Sequence, residues 1–183
     1  MSMPSAADNE NIGESELRVV VDAQIVLAMF LTRRDNPEAV SPKRGLLKLL
    51  TVPTFHWLWT ADIINDYERG AEAIESDEKI IRRAEFNRVA FELFLAALQL
   101  SQPVIISATT LRKARSRISQ APRAAERDLE DAVYLACAVD GNAHLLTTED
   151  SDLHSLGSTY EGVRIVNWRD FKDELAKRGL EDD

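Results

Sequence analysis

Leu17-Arg18-Val19-Val20-Val21-Asp22-Ala23-Gln24-Ile25-Val26-Leu27 is the stretch on which the fold turns. Three consecutive valines suit a strand covered on both faces, as in the middle of a parallel sheet, and do not alternate as a half-solvated strand would. The run stops at an aspartate. Apolar residues then resume from Ala23 to Leu31 without a breaker, so a helix is predicted to start just after Asp22.

Outward from this unit, strands are predicted at residues 55–59, 103–106, 143–147 and 163–166. Helices are predicted at 43–50, 61–73, 77–99, 127–139 and 167–177. Pro42 stands where a first helical residue is tolerated, Thr60 reads as an N-cap, and Gly141-Asn142 reads as a C-terminal stop. Strands alternating with helices predict an α/β fold, a three-layer αβα sandwich with a mostly parallel central sheet. Such sheets place their ligands outside the carboxyl ends of the strands. Residues 1–17, polar, acidic and aperiodic, are expected to form a disordered leader, 18–177 the folded domain, and 178–183 an acidic tail.

The 183 residues suffice for one domain with a real core, and an apolar fraction of 45% excludes wholesale disorder. The single cysteine, Cys137, excludes an intramolecular disulfide framework, and three scattered histidines exclude a histidine–cysteine zinc site. No apolar run reaches membrane-spanning length and no signal peptide is recognisable, so a soluble, cytoplasmic protein without a membrane partner is expected. A net charge of −9 argues against broad electrostatic capture of nucleic acid, but leaves room for a nuclease whose site is built from carboxylates. The one basic concentration along the chain is Arg112-Lys113-Ala114-Arg115-Ser116-Arg117, with Arg123 and Arg127 beyond it.

The acids fall at telling places. Asp22 ends the first strand, Asp150 and Asp152 follow the 143–147 strand, and Asp66 and Glu68 lie in the first two turns of the helix after the second strand. Asp128 and Asp131 open the helix that leads into the 143–147 strand. If the strands are parallel, all these positions share one sheet edge. Each acid also has an ordinary structural reading. Asp128 suits a helix cap and Asp152 a turn. Asp22 is harder to explain so, because a carboxylate between two apolar runs is partly buried and needs a partner. Converging carboxylates repel one another unless a cation intervenes, and an oxygen-only donor set suits Mg²⁺ or Mn²⁺.

These motifs, in order, resemble the PIN-domain (PilT N-terminus) ribonuclease family. Val19 to Leu27 is similar to its opening Asp-x-Asn strand. Thr60-Ala61-Asp62-Ile63-Ile64-Asn65-Asp66-Tyr67-Glu68-Arg69 is similar to its Ser-x-x-Ile-Leu-x-Glu-Tyr-Glu-Arg segment. Asp128-Leu129-Glu130-Asp131 with Tyr134 to Ala138 resembles its third motif, and Thr148-Glu149-Asp150-Ser151-Asp152-Leu153 its Thr-x-Asp-x-Asp-Leu. The closing Gly162-Val163-Arg164-Ile165-Val166 and Phe171 also match. The resemblance implies a metal-dependent endoribonuclease acting on single-stranded RNA, similar to the toxins of toxin–antitoxin pairs. It implies catalytic acids Asp22, Asp66, Asp131 and Asp150, with Mg²⁺ or Mn²⁺ held by Asp22, Asp131 and Asp150. Gln24, Glu68, Asp128, Thr148 and Asp152 are auxiliary candidates, and Arg112, Lys113, Arg115 and Arg117 are the expected phosphate contacts. An antitoxin protein and a second copy of the chain are the implied partners, the latter through an apolar helix at residues 85–98. Gln24 replaces the usual Asn and Asp66 the usual Glu, which keeps a second reading open, a PIN-fold module that binds but does not cut. A receiver-type phosphotransfer domain would need a lysine closing a late strand, and none closely follows Leu146 or Val166. Trp57 and Trp59 are expected in the core, His144 and His154 in surface or structural roles, and Cys137 buried.

Overall fold

A computed structural model describes residues 16–37, 41–120 and 130–180. Five strands form the main sheet: β1 (Leu17–Val21), β3 (Phe55–Leu58), β5 (Leu145–Thr147), β6 (Thr159–Tyr160) and β7 (Val163–Val166), in the order β3-β1-β5-β7-β6. The first four in that order are parallel and only β6 runs against its neighbour. β1 sits between β3 and β5, with Val19 aligned to Trp57 on one side and to Leu145 on the other. Its valines are wholly buried, as the triple run requires.

The helices are α1 (Ala23–Ala28), α2 (Leu46–Leu49), α3 (Ala61–Ser76), α4 (Glu78–Arg83), α5 (Arg88–Leu98), α6 (Ala108–Ser119), α7 (Asp131–Asp140), α8 (Ser151–Ser155) and α9 (Trp168–Lys177). Alternation along β3 covers both faces of the sheet. Trp57 packs edge-on against Phe94 of α5, with ring centroids 5.2 Å apart, while the next residue, Leu58, lies against Gly141 at the end of α7. This is the expected αβα sandwich. The caps are local and readable: Thr60 accepts from the Ile63 N–H, Ser107 from Thr110, and Asn167 from Asp170. Among the described residues, no helix is long and apolar enough to cross a membrane.

Several expectations are corrected. The single helix at 77–99 is two helices separated by a strand, β4 (Ala84–Phe86), which pairs antiparallel with β2 (Leu31–Arg33) in a separate ribbon. Asp77 caps the first helix and Asn87 the second, and Phe86 leaves the helical path to join Phe30 and Phe91 in an aromatic cluster. Burial of three rings outweighs the helix propensity of the linking residues. α1 stops at Ala28 because Leu31 to Arg33 is drawn into that ribbon. Residues 103–106 form no strand; the Val104 N–H makes one bond, to the Trp59 carbonyl, at 2.8 Å. The acidic turn after β5 becomes α8, capped by Asp150. Leu17 is already a buried strand residue, so the ordered chain includes it, and Leu180 packs on the core beyond α9. Residues 1–15, 121–129 and 181–183 lie outside the described residues, and with them Asp128, Arg123, Arg127 and most of the expected leader and tail.

Candidate functional site

Because β1, β3, β5 and β7 are parallel, their carboxyl ends share one edge, and the chain leaves that edge at Asp22, Thr60, Thr148 and Asn167. α7 runs back across the sheet to feed β5, so Asp131 at its start also lies at this edge.

Asp22 is the centre of the arrangement. It is only 8% exposed and stands at the N-cap position of α1, yet its side chain makes no capping hydrogen bond. The ordinary explanation for an Asp before a helix is therefore reduced to a weak contribution from the Gln24 N–H. One carboxylate oxygen, Oδ2, accepts the hydroxyl of Thr148, itself fully buried. Burial pushes the Asp22 carboxyl above its usual range. The Thr148 hydroxyl and the Gln24 N–H hold it down, and the charges of Asp150 and Asp66 raise it again. Asp22 thus feels two acids distant from it in sequence.

Thr148 joins two of them. While its hydroxyl donates to Asp22, its Oγ1 accepts the Asp150 N–H at 2.9 Å, so the loop carrying Asp150 is pinned to the Asp22 side chain. Asp150 Oδ1 in turn accepts the Asp152 N–H, and the Thr148 carbonyl contacts His154 Nε2 at 3.0 Å. Asp152 acts here through its backbone, and His154 has a structural contact.

Asp66 is held on both oxygens. Tyr134, on α7, donates its phenol to Oδ2 at 2.6 Å, and Arg69, one turn along α3, lies 3.2 Å from Oδ1. Arg69 also pairs with Glu130. Glu68 faces solvent while Asp66 is half-buried, as two residues two apart on a helix must differ. Asp131 precedes Tyr134 by three positions, so it lies on the same face of α7, and it is half-buried. Gln24 is exposed.

Beside Asp66 opens a groove of about 480 Å³, lined by Asn65, Asp66, Arg69, Arg115, Glu130 and Tyr134 among others. Of the basic stretch on α6, only Arg115 reaches it. Arg112 and Lys113 face solvent elsewhere, and Arg117 donates to the Leu156 carbonyl at 3.0 Å. Arg69, Tyr134 and Thr148 are the functional candidates to which the sequence assigned no definite role. The i, i+3 spacing of Asp66 and Arg69 is the signal that could have drawn attention to the first of them.

The donor set at the edge is all oxygen, which fits a hard divalent cation and no zinc-like site. Among the described residues, however, no group of three or more His, Cys, Asp and Glu side chains stands close enough to hold a metal ion. Asp66 and Asp150 are each in electrostatic reach of Asp22 without forming a closed ligand shell. The other sequence expectations are structural: Trp57 and Trp59 are in the core, and Cys137 is buried, its thiol pushed up to about 12 by desolvation.

An open α/β sheet with a buried aspartate at the end of an inner strand, Asp66 and Asp150 in electrostatic reach of it and Asp131 at the same edge, defines a class of site suited to charge-rich chemistry on a ligand there. A family model described as the PIN domain matches residues 18–152, most of the chain and all four acid positions, and the chain belongs to the PIN-domain family. PIN domains are commonly nucleases that use divalent metal ions. No curated protein gives a significant match to the chain.

Proposed function

We propose that this protein is a Mg²⁺- or Mn²⁺-dependent endoribonuclease of single-stranded RNA, located in the cytoplasm and serving as the toxin of a toxin–antitoxin pair. The observation that carries the reading is Asp22, a buried carboxylate without a well-formed capping bond, braced by Thr148 and coupled to Asp150 and Asp66. Keeping such a group ionisable costs stability, and sites of function are where that cost is tolerated.

Asp22, Asp131 and Asp150 are the residues to hold the cation. A divalent ion held there would offset the mutual repulsion of these acids, screen the phosphodiester charge and supply a water of lowered pKa. Thr148 fixes Asp22 and the Asp150 loop relative to each other. Asp66, oriented by Tyr134 and Arg69, accepts a hydrogen bond from the attacking water. Arg69 and Arg115 meet the phosphates on the groove side of the scissile bond. An antitoxin of basic character would find complementary charge at this edge, and a second copy of the chain would find apolar surface on α5, where Val89 and Leu93 are each more than 65% exposed. Glu85, included in that helix from the sequence, lies on β4 instead.

A second reading, a non-cutting PIN-fold module, is favoured by one specific observation: both oxygens of Asp66 are already engaged. The experiment that separates the two incubates the purified chain with an unstructured RNA, with and without Mn²⁺. Metal-dependent cleavage by wild type that disappears in Asp22→Asn supports the enzyme. Binding of RNA without cleavage at any metal concentration supports the module.

A further inference from the structure

The sequence contains one local run of basic residues, but the fold makes another from two distant pieces. Where β2 meets β4, Arg33-Arg34 and Arg82-Arg83 are brought around a groove of about 560 Å³, with Asp35 as the acid on its wall. The Arg34 backbone N–H bonds the Arg83 carbonyl at 2.9 Å, which locks the two pairs together. Arg33 pairs with Asp35, and Arg82 with Glu78, both pairs well exposed. Arg34 donates its Nε–H to the Ile81 carbonyl at 2.8 Å, a contact that orients the guanidinium without neutralising it. Among the described residues, no carboxylate pairs with Arg34 or Arg83. On a chain of net charge −9, a groove with this excess of guanidinium groups is conspicuous. Guanidinium forks match phosphate oxygens two at a time.

We propose that this groove is a second phosphate-binding station for the RNA, engaging the strand at a distance from the site of cleavage. The inference rests on the endoribonuclease reading. α3 links the two places: Asp66 lies near its start, and α4, which carries Arg82 and Arg83, follows its end at Ser76. Ten residues of helix span about 15 Å, or about four phosphates of a stacked strand, so a strand of about a dozen nucleotides is long enough to meet both stations. The ribbon itself is anchored by Phe30 and Phe86 in the aromatic cluster, so the arginines stand on a fixed platform. A short RNA occupies one station at a time, whereas a strand long enough to meet both gains the arginines while it lies at the site of cleavage.

The test measures binding of unstructured RNA of roughly 4 and roughly 12 nucleotides in an Asp22→Asn background, across a range of salt. Metal-dependent cleavage is scored in parallel with the native Asp22. Removing two phosphate contacts in Arg34→Ala/Arg83→Ala lowers the salt slope for the long RNA by about 1.4, which amounts to about 25-fold in affinity at 0.1 M salt and vanishes toward 1 M. Cleavage of the short RNA by the protein with native Asp22 stays as it was. Arg83→Ala alone, which leaves the Arg34–Ile81 contact in place, gives half the change in slope and guards against a folding defect in the double variant. An unchanged slope for the long RNA in both variants overturns the proposal. An equal loss of cleavage for short and long RNA also overturns it, because the arginines would then act at the site of cleavage. If the long RNA binds with the arginine-dependent slope but wild type never cleaves, the station stands and the nuclease reading falls.

Discussion

Thr148→Val removes one hydroxyl and almost no volume from a fully buried position, yet it breaks two bonds at once. Asp22 loses the donor that holds its charge, and the Asp150 N–H loses its acceptor. A hydrogen bond to a charged group contributes about 1.5–3 kcal/mol. At about 2–4 °C per kcal/mol for a chain of this size, the Tm at neutral pH falls by roughly 3–12 °C. The loss depends on pH in a fixed direction. The Thr148 hydroxyl favours ionised Asp22, so the difference between wild type and variant is largest above the folded-state pKa of Asp22 and shrinks in acid, where Asp22 is protonated. Thermal denaturation followed by circular dichroism in chelator, at several pH values, reads both effects, and Thr148→Ser, which keeps the hydroxyl, serves as the control. A Thr148→Val variant as stable as wild type at neutral pH, or one whose deficit is the same at every pH, refutes the coupling of Thr148 to Asp22.

Three further outcomes are expected from the same packing. Asp22→Asn raises stability at neutral pH in chelator by on the order of 1 kcal/mol, as neutralising a strained functional group commonly does. Burial raises the folded pKa above the ordinary value of 3.8, so the stability Asp22 contributes is present below that pH and lost as pH rises through the folded pKa. The advantage of the variant therefore grows from acid to neutral pH, and denaturation midpoints that show no such trend contradict the burial argument. Gly141→Ala destabilises by about 1–3 kcal/mol, an overpacking cost. The new Cβ would lie 2.7 Å from the Cys137 carbonyl oxygen and 2.8 Å from Leu58 Cδ1, and urea melts measure the loss. Cys137, buried and with its thiol raised to about 12, does not react with a disulfide reagent at neutral pH until the chain unfolds. Rapid labelling of native protein would show that α7 opens far more readily than its packing allows.

What the sequence made legible was local or repeated. The valine run ending at Asp22 dictated a central strand, Thr60 announced α3, and Gly141 ended α7, because each signal sits within a few residues of its effect. That Asp66 and Glu68 do not share a face follows from helical spacing alone; that Asp66 is the one turned toward the edge is read from the structure. The β2–β4 ribbon was not legible, since Leu31 pairs with Phe86 across more than fifty residues, and the apolar spacing of 77–99 is helical on both sides of the break. Asn87, a cap in the middle of that span, was the available signal. The arginine groove was hidden for the same reason: neither Arg33-Arg34 nor Arg82-Arg83 is notable until the ribbon joins them. Conversely, Arg112 to Arg117 is conspicuous in sequence, but the periodicity of α6 sends only Arg115 into the groove beside Asp66.

Crystals soaked in Mn²⁺, with diffraction recorded at the manganese absorption edge, test the central claim most directly. The account predicts an anomalous peak between Asp22 and Asp150 at oxygen-ligand distances of about 2.0–2.3 Å, with the same peak lost in Asp22→Asn crystals. A peak bound away from Asp22, or persisting undiminished in the variant, contradicts it.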